Sequence, residues 1–550
     1  MTITYEILII IKLKMNIKED KRTYANVVSA EDSTGIGYDE LNFLPCDYIL
    51  RCVDGPYEGR QIRIRELGNE IIIGTKDSCN FNLNDTDVSE THCKLTYLEN
   101  SFYYKLEDLK SESGTWVRIS NLDDAFEVKE RTVFSIFQNI FEIYEEMGTH
   151  ILQFIKGPQK GTKTTLEEEA NFFIGKKGAS INLEMPCSEN ITYRILKYQG
   201  RVFVKNDTLE ATNDGIFYCL HENEVALIKA GDIIKLGKCC FRIIVHNWGV
   251  FSEIGDRPNQ EDKFCIIDDI RIFDDIAIPY YAVYDGHVGG SCSLYLQKHL
   301  HHNLRAIIKS RELDKKENFF VELCNAIQDV IIYTDLSYYE SENISLHYGS
   351  TCVFLFFIGN KVLCCNLGDS ICIYIRNDKK IYLSKDFKPS RPKEIGRITA
   401  KGGYITDQRL LGIISVTRGF GDWRFKDPKK QDQLRKLLTK QVDLKEYVIS
   451  NRAEFRILEI DPEEDEYLML CSDGIFQQTK DDSQIFGTID KYLDVEKNNT
   501  PYSNVKNIPN VTDNVRLDVI NNIYMDSTTK GNHADNMTLI LVHLQNDKIK

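Results

Sequence analysis

The segment YYAVYDGHVGG (280–290) ends a run of strand-forming residues with an acid, Asp285, and then a histidine, His287. Other acids lie next to apolar runs in the same half of the chain: Glu261, Asp262, Asp369, Asp473 and Asp535. An isolated Asp-Gly pair after a strand is usually only a turn. Carboxylates gathered at the strand ends of one domain repel each other unless a cation lies between them. Because Mg²⁺ and Mn²⁺ prefer oxygen ligands, the pattern predicts a divalent metal site.

The chain lacks the motifs of several other chemistries. No G-x-x-x-x-G-K-[ST], H-E-x-x-H or G-x-S-x-G sequence occurs. The net charge of −15 argues against nonspecific binding of nucleic acid, which needs basic surfaces. Oxygen-rich sites with two metal ions typically act on phosphates. The clustered acids and the absence of these motifs therefore favour phosphate chemistry.

From about residue 248, strand-like runs alternate with helical patterns. The segment 291–310 is predicted to be a helix with one apolar face, and 318–340 is a second helix. This mixture predicts an α+β domain. The charged segment 426–447 is predicted to be a solvated helix and loop. The predicted apolar face consists of Leu294, Leu296, Leu300, Leu304 and Ile307.

The first half of the chain predicts two all-β repeats of about one hundred residues. ILQFIKGPQKG repeats the pattern of YILRCVDGPYEG, and ANFFIGKK repeats that of NEIIIGTK. RTVFSIFQNIFEIY is predicted to close the first repeat, and GDIIKLGKCCFRIIV the second. The resulting domains are a disordered or linker N-terminus (1–45), two β-sandwiches (46–147 and 148–247) and an α+β domain (248–546).

Two features bear on the cellular compartment. The 16 cysteines include no C-x-x-C pair, which is typical of buried thiols in a reducing environment. The apolar run from Ile7 to Ile11 is too short to span a bilayer, which needs roughly 20 residues. We therefore expect an intracellular protein, cytoplasmic or nuclear, without a membrane span.

Eight short motifs of the α+β region occur in the order found in the metal-dependent protein phosphatase 2C family. The region resembles this family over residues 248–546, and the resemblance implies an α-β-β-α sandwich with the metals at one end. The motifs are RPNQED (257–262), YDGHVGG (284–290), GST (349–351), LGDS (367–370), EIGRITAKGG (394–403), TRGFGD (417–422), CSDG (471–474) and DNMT (535–538).

The resemblance implies a role for each candidate residue. Metal ligands would be Asp285, which bridges two Mg²⁺ or Mn²⁺ ions, the carbonyl of Gly286, Asp473 and Asp535. Glu261 and Asp262 would support them, and Asp369 would hold a third, looser ion. Arg257 would grip the substrate phosphate, because a guanidinium matches phosphate oxygens. His287 would protonate the leaving oxygen after attack by a metal-activated water.

The sequence departs from the family pattern at three places. Phe387 replaces the histidine of the usual D-H-K-P, and Thr417 replaces a serine before Arg418. Ile475, Phe476 and Gln477 replace the usual Leu-Trp-Asp. None of these changes removes a metal ligand, so we expect effects on substrate preference or rate and intact metal chemistry.

The first β repeat resembles the forkhead-associated (FHA) domain, a sandwich whose loops bind phosphothreonine. Ser89 and His92 keep its S-x-x-H spacing, and Lys76 and Lys94 are candidates for added positive charge. Thr75 stands in place of the family's arginine, so we expect weak binding. In the degenerate second repeat, Glu189 replaces the serine and would repel phosphate, which predicts a structural role.

These inferences predict a divalent-metal-dependent serine/threonine phosphoprotein phosphatase that is targeted by FHA-like modules. Its partners would be phosphoprotein substrates and a phosphothreonine-bearing protein bound by the first repeat. One alternative is a phosphopeptide-binding adaptor with an inactive phosphatase-like domain. Another is a hydrolase of a different phosphate ester, since a two-metal site does not select its leaving group.

Overall fold

The computed structural model describes most of the chain from Tyr48 to Leu544. These described residues divide into two compact units, between Val245 and His246. The predicted N-terminal linker and Glu189 lie outside them. The gaps are 65–68, 99–102, 120–125, 130, 137, 169–170, 176–180, 183–191, 207–214, 222–223, 274–275, 314–317, 342–344, 427–447, 462–463, 478–481, 496–507 and 531–533.

The first unit consists of β-strands throughout its described part, as the short alternating runs of apolar and polar residues predict. Its strands are β1 Ile49–Asp54, β2 Gln61–Arg63, β3 Glu70–Gly74, β4 Phe81–Asn82, β5 Cys93–Tyr97, β6 Tyr104–Asp108, β7 Thr115–Arg118, β8 Phe126–Glu127, β9 Thr132–Ile136, β10 Asn139–Glu146, β11 Thr149–Lys156, β12 Lys163–Thr165, β13 Asn171–Gly175, β14 Ile181–Asn182, β15 Thr192–Tyr198, β16 Arg201–Asn206, β17 Ile216–Cys219, β18 Val225–Ile228, β19 Ile233–Leu236 and β20 Cys239–Ile244.

The strands predicted to close the second repeat instead close the first. Strand β1 pairs antiparallel with β20, with Ile49 opposite Ile244. Strand β7 pairs with β19, and β6 pairs with β18. The assignment of GDIIKLGKCCFRIIV to the second repeat was therefore wrong.

The strands predicted to close the first repeat close the second in the same way. Strand β10 pairs with β11, with Phe141 opposite Phe154, and β8 pairs with β16. Phe134 and Phe141 are fully buried in one core with Ile195 and Val204 of the second repeat. The two repeats have exchanged their closing strands.

The exchange joins both repeats into one sheet. Strands β7 and β17 pair with each other, with Arg118 opposite Phe217, and β17 also pairs with β9. The result is a ten-stranded sheet in the order β12-β11-β10-β9-β17-β7-β19-β20-β1-β2. Two five-stranded sheets, β14-β13-β15-β16-β8 and β18-β6-β5-β3-β4, complete the unit.

A two-residue turn explains the exchange. Met147 and Gly148 link β10 to β11, and both have positive φ, 50° and 78°. Such a turn matches the twist of paired strands and makes them adjacent in one sheet. A closing strand lies next to the opening strand of its sandwich. The tight link therefore places β10 beside β11, and β1 is left to pair with β20.

The second unit mixes strands and helices, as predicted. Its strands are β21 Asn247–Glu253, β22 Lys263–Ile267, β23 Tyr280–Tyr284, β24 Gly286–His287, β25 Gly349–Ser350, β26 Cys352–Ile358, β27 Lys361–Leu367, β28 Ile371–Arg376, β29 Lys379–Tyr382, β30 Ile405–Thr406, β31 Arg409–Leu410, β32 Phe420–Gly421, β33 Glu454–Glu459, β34 Asp465–Cys471 and β35 Met537–His543. Its helices are α1 Ser291–Lys309, α2 Phe319–Tyr339, α3 Pro392–Ala400, α4 Gly474–Gln477, α5 Asp482–Val495 and α6 Ile508–Lys530, with a 3₁₀ turn at Trp423–Phe425.

Two antiparallel five-stranded sheets build the core of this unit. Their orders are β22-β23-β26-β27-β33 and β21-β35-β34-β28-β29. Val283 and Leu355 of the first sheet share one apolar cluster with Leu470 and Ile540 of the second. Strands β26 and β35 are buried along their whole length, as their continuous apolar sequences predict.

Helices cover the sheets. Helix α1 buries Leu296, Leu300 and Leu304, and the side-chain amide of Gln297 donates to the carbonyl of Phe264 in β22 at 2.8 Å. Leu294, predicted for the same face, is 37% exposed instead, because it lies at the edge of that face. Helices α5 and α6 pack on the other sheet through a separate apolar cluster.

Three further observations bear on the predictions. In the described residues, every cysteine is a free thiol and all but Cys219 are buried. No described helix is long and apolar enough to cross a membrane. Lys426, the first residue of the charged segment predicted to be solvated, is buried and contacts Asp335 at 2.8 Å. The rest of that segment lies outside the described residues.

We expect the exchanged strands to hold the two repeats together after the chain is cut between them. A protease site would be inserted between Met147 and Gly148 in the fragment 45–245, where Met147 is fully exposed. After cleavage, the two pieces should elute together in gel filtration and separate only in denaturant. A second site, placed in the exposed turn 157–161, controls for the insertion itself. Release of a folded piece 45–147 without denaturant would contradict the exchange.

Candidate metal centre

Five aspartates lie at strand ends from both sheets of the second unit. Asp285 directly follows β23, Asp369 follows β27, and Asp262 directly precedes β22. Asp473 lies just after β34 and Asp535 just before β35 in the other sheet. Burial, together with the negative charges of the other four aspartates, raises the pKa of Asp285 well above its usual value. The structure therefore brings the predicted acids together around Asp285.

The burial of two of these acids, Asp262 and Asp369, fits a bound cation. Burial raises the pKa of Asp262 to about 7, and neighbouring carboxylates add to the rise. Burial and the charge of Asp473 likewise raise the pKa of Asp369 to about 7. The hydroxyls of Ser472 and Thr538 partly offset the rise in the pKa of Asp262, but neither makes a hydrogen bond of good geometry to its buried carboxylate oxygens. Such oxygens are costly to bury charged unless a positive charge lies close by.

Side-chain cations lie among the carboxylates. The Nζ of Lys388 is 3.4 Å from Asp473, 3.5 Å from Asp369 and 3.7 Å from Asp386. Burial lowers the pKa of Lys388, but these three carboxylates outweigh it and the pKa is raised overall. With the side chains placed in this way, no three acids, histidines or cysteines of the described residues converge on one metal position.

The donor set nevertheless suits Mg²⁺ or Mn²⁺. All the candidate side-chain ligands are carboxylates, which these hard cations prefer. The Nη2 of Arg257 lies 2.8 Å from Asp535. For Asp473 and Asp535 to hold metal ions, their carboxylates must therefore turn away from Lys388 and Arg257.

Backbone contacts fix the position of Asp285. A Cβ on Gly286 would lie 2.5 Å from the carbonyl oxygen of Glu261, so only glycine allows this close approach. The backbone N–H of Thr351 donates to the carbonyl of Asp285 at 2.9 Å. The N–H of Glu261 donates to the side chain of Asn536 at 2.8 Å. Sequence reasoning assigned no role to Thr351 or Asn536, although they lie within the motifs GST and DNMT.

His287 is held by a buried carboxylate. Its Nε2 lies 2.7 Å from Oδ2 of Asp422, which is fully buried. Burial lowers the pKa of His287, but the charge and hydrogen bond of Asp422 outweigh it and raise the pKa overall. The backbone of Asp422 has a positive φ of 53°. Sequence reasoning included Asp422 in the motif TRGFGD and missed this contact.

Two of the predicted residues remain accessible beside the acids. The side chain of Arg257 is 52% exposed, so its guanidinium can meet a phosphate that arrives from solvent. Glu261 is partly buried, and this burial raises the pKa of its carboxyl group. Both lie in the segment that leads into β22, on which Asp262 is also placed.

The departures from the family pattern form contacts of their own. The Phe387 ring lies 3.9 Å from the guanidinium carbon of Arg418 and 5.1 Å from that of Arg391. The hydroxyl of Thr417 donates to the carbonyl of Phe387 at 2.7 Å and contacts Glu394 at 2.9 Å. These contacts stabilise the segment that carries Lys388 without adding or removing a carboxylate.

The first β repeat holds the Ser89 loop in a defined position. The backbone N–H of Ser89 donates to Nδ1 of His92 at 3.1 Å, and Nε2 of His92 contacts the carbonyl of Gly114 at 3.1 Å. Burial lowers the pKa of His92, which suits this neutral bracing role. The Ser89 hydroxyl accepts from the backbone N–H of Glu112 at 3.0 Å. Its hydrogen can still be donated to a ligand.

The two candidate lysines of this repeat are paired with acids. Lys76 lies 2.6 Å from Glu90, beside Ser89. Lys94 lies on strand β5, 3.3 Å from Glu107 and 3.8 Å from Glu70. The structure thus places Lys76 near the Ser89 loop, whereas the charge of Lys94 is directed to acids on neighbouring strands.

Comparison with known proteins agrees with both halves of this description. Residues 249–505 match the family Protein phosphatase 2C, and residues 71–136 match the FHA domain. "Probable protein phosphatase 2C 2" of Oryza sativa subsp. japonica is 29% identical over 238 residues, which are 42% of this chain and 58% of that protein. "Probable protein phosphatase 2C 11" of Arabidopsis thaliana is 32% identical over 257 residues, 46% of this chain and 59% of that protein.

The matched region spans less than two thirds of the length of these relatives.

The match to the crystal structure of serine-threonine phosphatase 2C from Toxoplasma gondii covers 55% of this chain and 95% of that chain, with 18% identity and a TM-score of 0.40. So loose a superposition adds nothing to the assignment, which rests on the family matches and the order of the motifs. Residues 249–505 of this chain match the protein phosphatase 2C family, and residues 71–136, which match the FHA domain, precede them.

Proposed function

We propose that this protein is a divalent-metal-dependent serine/threonine phosphoprotein phosphatase, built on an α-β-β-α sandwich. The observation that carries the proposal is the clustering of four aspartates, at strand ends of both sheets, around the half-buried Asp285. An adaptor with an inactive phosphatase-like domain would have no need to keep this mutually repulsive set. The acids therefore favour the enzyme over the adaptor.

The acidic residues would hold the metal ions. Asp285, the carbonyl of Gly286, Asp473 and Asp535 would hold two Mg²⁺ or Mn²⁺ ions, supported by Glu261 and Asp262. Asp369 would serve a third, looser ion. When bound, the ions supply positive charge that activates water and offsets charge on the phosphate.

The chain's own side chains bind the phosphate and move the proton. Arg257 would hold the phosphate oxygens through its paired N–H groups. His287 would donate a proton to the leaving serine or threonine oxygen, because an alkoxide is a poor leaving group. Asp422 keeps the imidazole in place through its 2.7 Å contact. This arrangement is a general acid held by a buried carboxylate.

The FHA-type unit would bring the enzyme to phosphothreonine-bearing partners. Ser89 would donate its hydroxyl to the phosphate, and Lys76 would add positive charge near it. The missing arginine and the pairing of Lys76 with Glu90 make weak binding the expected result. The second repeat would act as structural support.

We expect turnover of a phosphothreonine peptide to require Mn²⁺ or Mg²⁺ and to stop in excess EDTA. Asp285→Asn should lower turnover by at least about a hundredfold, because it removes the charge at the centre of the ligand set. It should not lower the melting temperature, since it also removes a group that the neighbouring aspartates repel. Asp407→Asn, in an exposed turn, is the matched control. Full activity in EDTA would refute the proposal.

We expect His287→Ala to affect poor leaving groups most. The loss for a phosphothreonine peptide should be about a hundredfold or more, whereas p-nitrophenyl phosphate, whose leaving group needs no proton, should lose far less. Asp422→Asn should shift activity in the same direction by a smaller factor, because it acts through His287. Measured kcat values with both substrates test this. Equal losses for the two substrates would argue against His287 as the acid.

We expect the stability of the protein in EDTA to fall as the pH rises. The pKa of Asp262 is raised to about 7 in the folded state, so its stabilising effect is complete below pH 4 and is lost as the pH approaches and passes 7. His299 and His301, whose pKa burial lowers, act in the opposite sense near pH 6.5. The slope is therefore read as the difference in melting temperature between wild type and Asp262→Asn.

Mn²⁺ supplies the control for this measurement. It should raise the melting temperature of wild type more at pH 8 than at pH 5, because it needs ionised carboxylates. The same pH dependence in Asp262→Asn as in wild type would show that this carboxyl group is not the cause.

A further inference from the structure

Val288, the residue after His287, combines two unfavourable features. Its backbone is left-handed, with a φ of 67°, and it is the one β-branched residue with a positive φ among the described residues. Its side chain is 60% exposed. A left-handed backbone is strained for any β-branched residue, because the branched Cβ meets the neighbouring carbonyl. Because the Val288 side chain is exposed, it makes little packing contact that could offset this strain.

The chain on both sides forces this conformation. Before Val288, the segment is fixed by the pairing of β24 with β25 and by the contact of His287 with Asp422. After it, a Cβ on Gly289 would lie 2.6 Å from the Tyr348 ring, so the backbone there passes directly over that ring. Residue 288 must therefore connect two fixed points, whatever side chain it carries.

Folding alone would favour glycine at this position. Glycine adopts a positive φ without strain, and replacing a strained residue by glycine at such a site stabilises a protein. The exposed valine side chain would lose little packing if it were removed. Valine at this position is therefore best explained by a contact with another molecule.

The position of Val288 identifies that contact. His287 is the group proposed to protonate the leaving oxygen, so the leaving peptide must lie beside it. A residue adjacent to His287 is close to the peptide and its side chains. An exposed, β-branched apolar group at this place suits an apolar side chain next to the phosphorylated residue.

We propose that Val288 determines specificity by contacting an apolar side chain that flanks the phosphoserine or phosphothreonine of the substrate. The inference rests on the proposed function and adds a substrate class to it. Burial of part of one aliphatic side chain against Val288 gives a preference of about three- to tenfold in kcat/KM.

The test uses the full-length protein with Mn²⁺ and two phosphothreonine peptides. The peptides are identical except that leucine or serine flanks the phosphothreonine on both sides. The ratio of the two kcat/KM values is measured within each variant, so that any general change in rate cancels. The variants are Val288→Thr, which keeps the shape and adds a hydroxyl, Val288→Gly, and Val288→Ile as the apolar control.

Wild type and Val288→Ile should prefer the leucine peptide, and Val288→Thr and Val288→Gly should lose the preference. Val288→Gly should also raise the melting temperature, on the order of 2 °C, because it relieves the strain. A preference that survives in the threonine and glycine variants would overturn the inference, as would equal rates in wild type. No turnover of either peptide by wild type would instead refute the proposed function, and this inference with it.

Discussion

The repulsion between buried carboxylates is the constraint on which the second unit depends. The strands β23, β27 and β35, which adjoin Asp285, Asp369 and Asp535, are buried along their whole length, so they cannot move to separate the charges. Burial raises the pKa of Asp285, Asp262 and Asp369, and Lys388 and Arg257 lie against other members of the set. The rigid sheets hold the carboxylates close together. A bound cation can relieve the repulsion between them.

Much of this centre could be predicted because strand-end acids are a local pattern. An apolar run followed by an acid and a glycine places the acid at a sheet edge, which needs no knowledge of the rest of the chain. The contact of His287 with Asp422 joins residues 135 positions apart and could not be read in this way. The pairing of Lys94 with Glu107 and Glu70 depends on strand register, so the local sequence pattern could not show it either.

The exchange of closing strands shows a different limit of sequence reasoning. Both repeats carry the same pattern of alternating residues, so the closing strands of either repeat fit either sandwich. The similarity of the repeats predicts where the strands lie, but it does not predict which sandwich each strand joins. The decisive signal was short: Met147-Gly148 between two alternating runs is a hairpin turn. The FHA match at 71–136 reaches into β9, which pairs with β10 and β17.

The exchange also changes the order in which the chain can fold as it leaves the ribosome. Domains usually fold in the order of synthesis, N-terminal first. Here the sandwich of the second repeat has all its strands once β17 has emerged. The sandwich of the first repeat must wait for β20, which ends at Ile244. Strands β1, β6 and β7 therefore each lack one final neighbour until β18, β19 and β20 emerge, and the first of these, β18, begins at Val225, more than a hundred residues after Arg118.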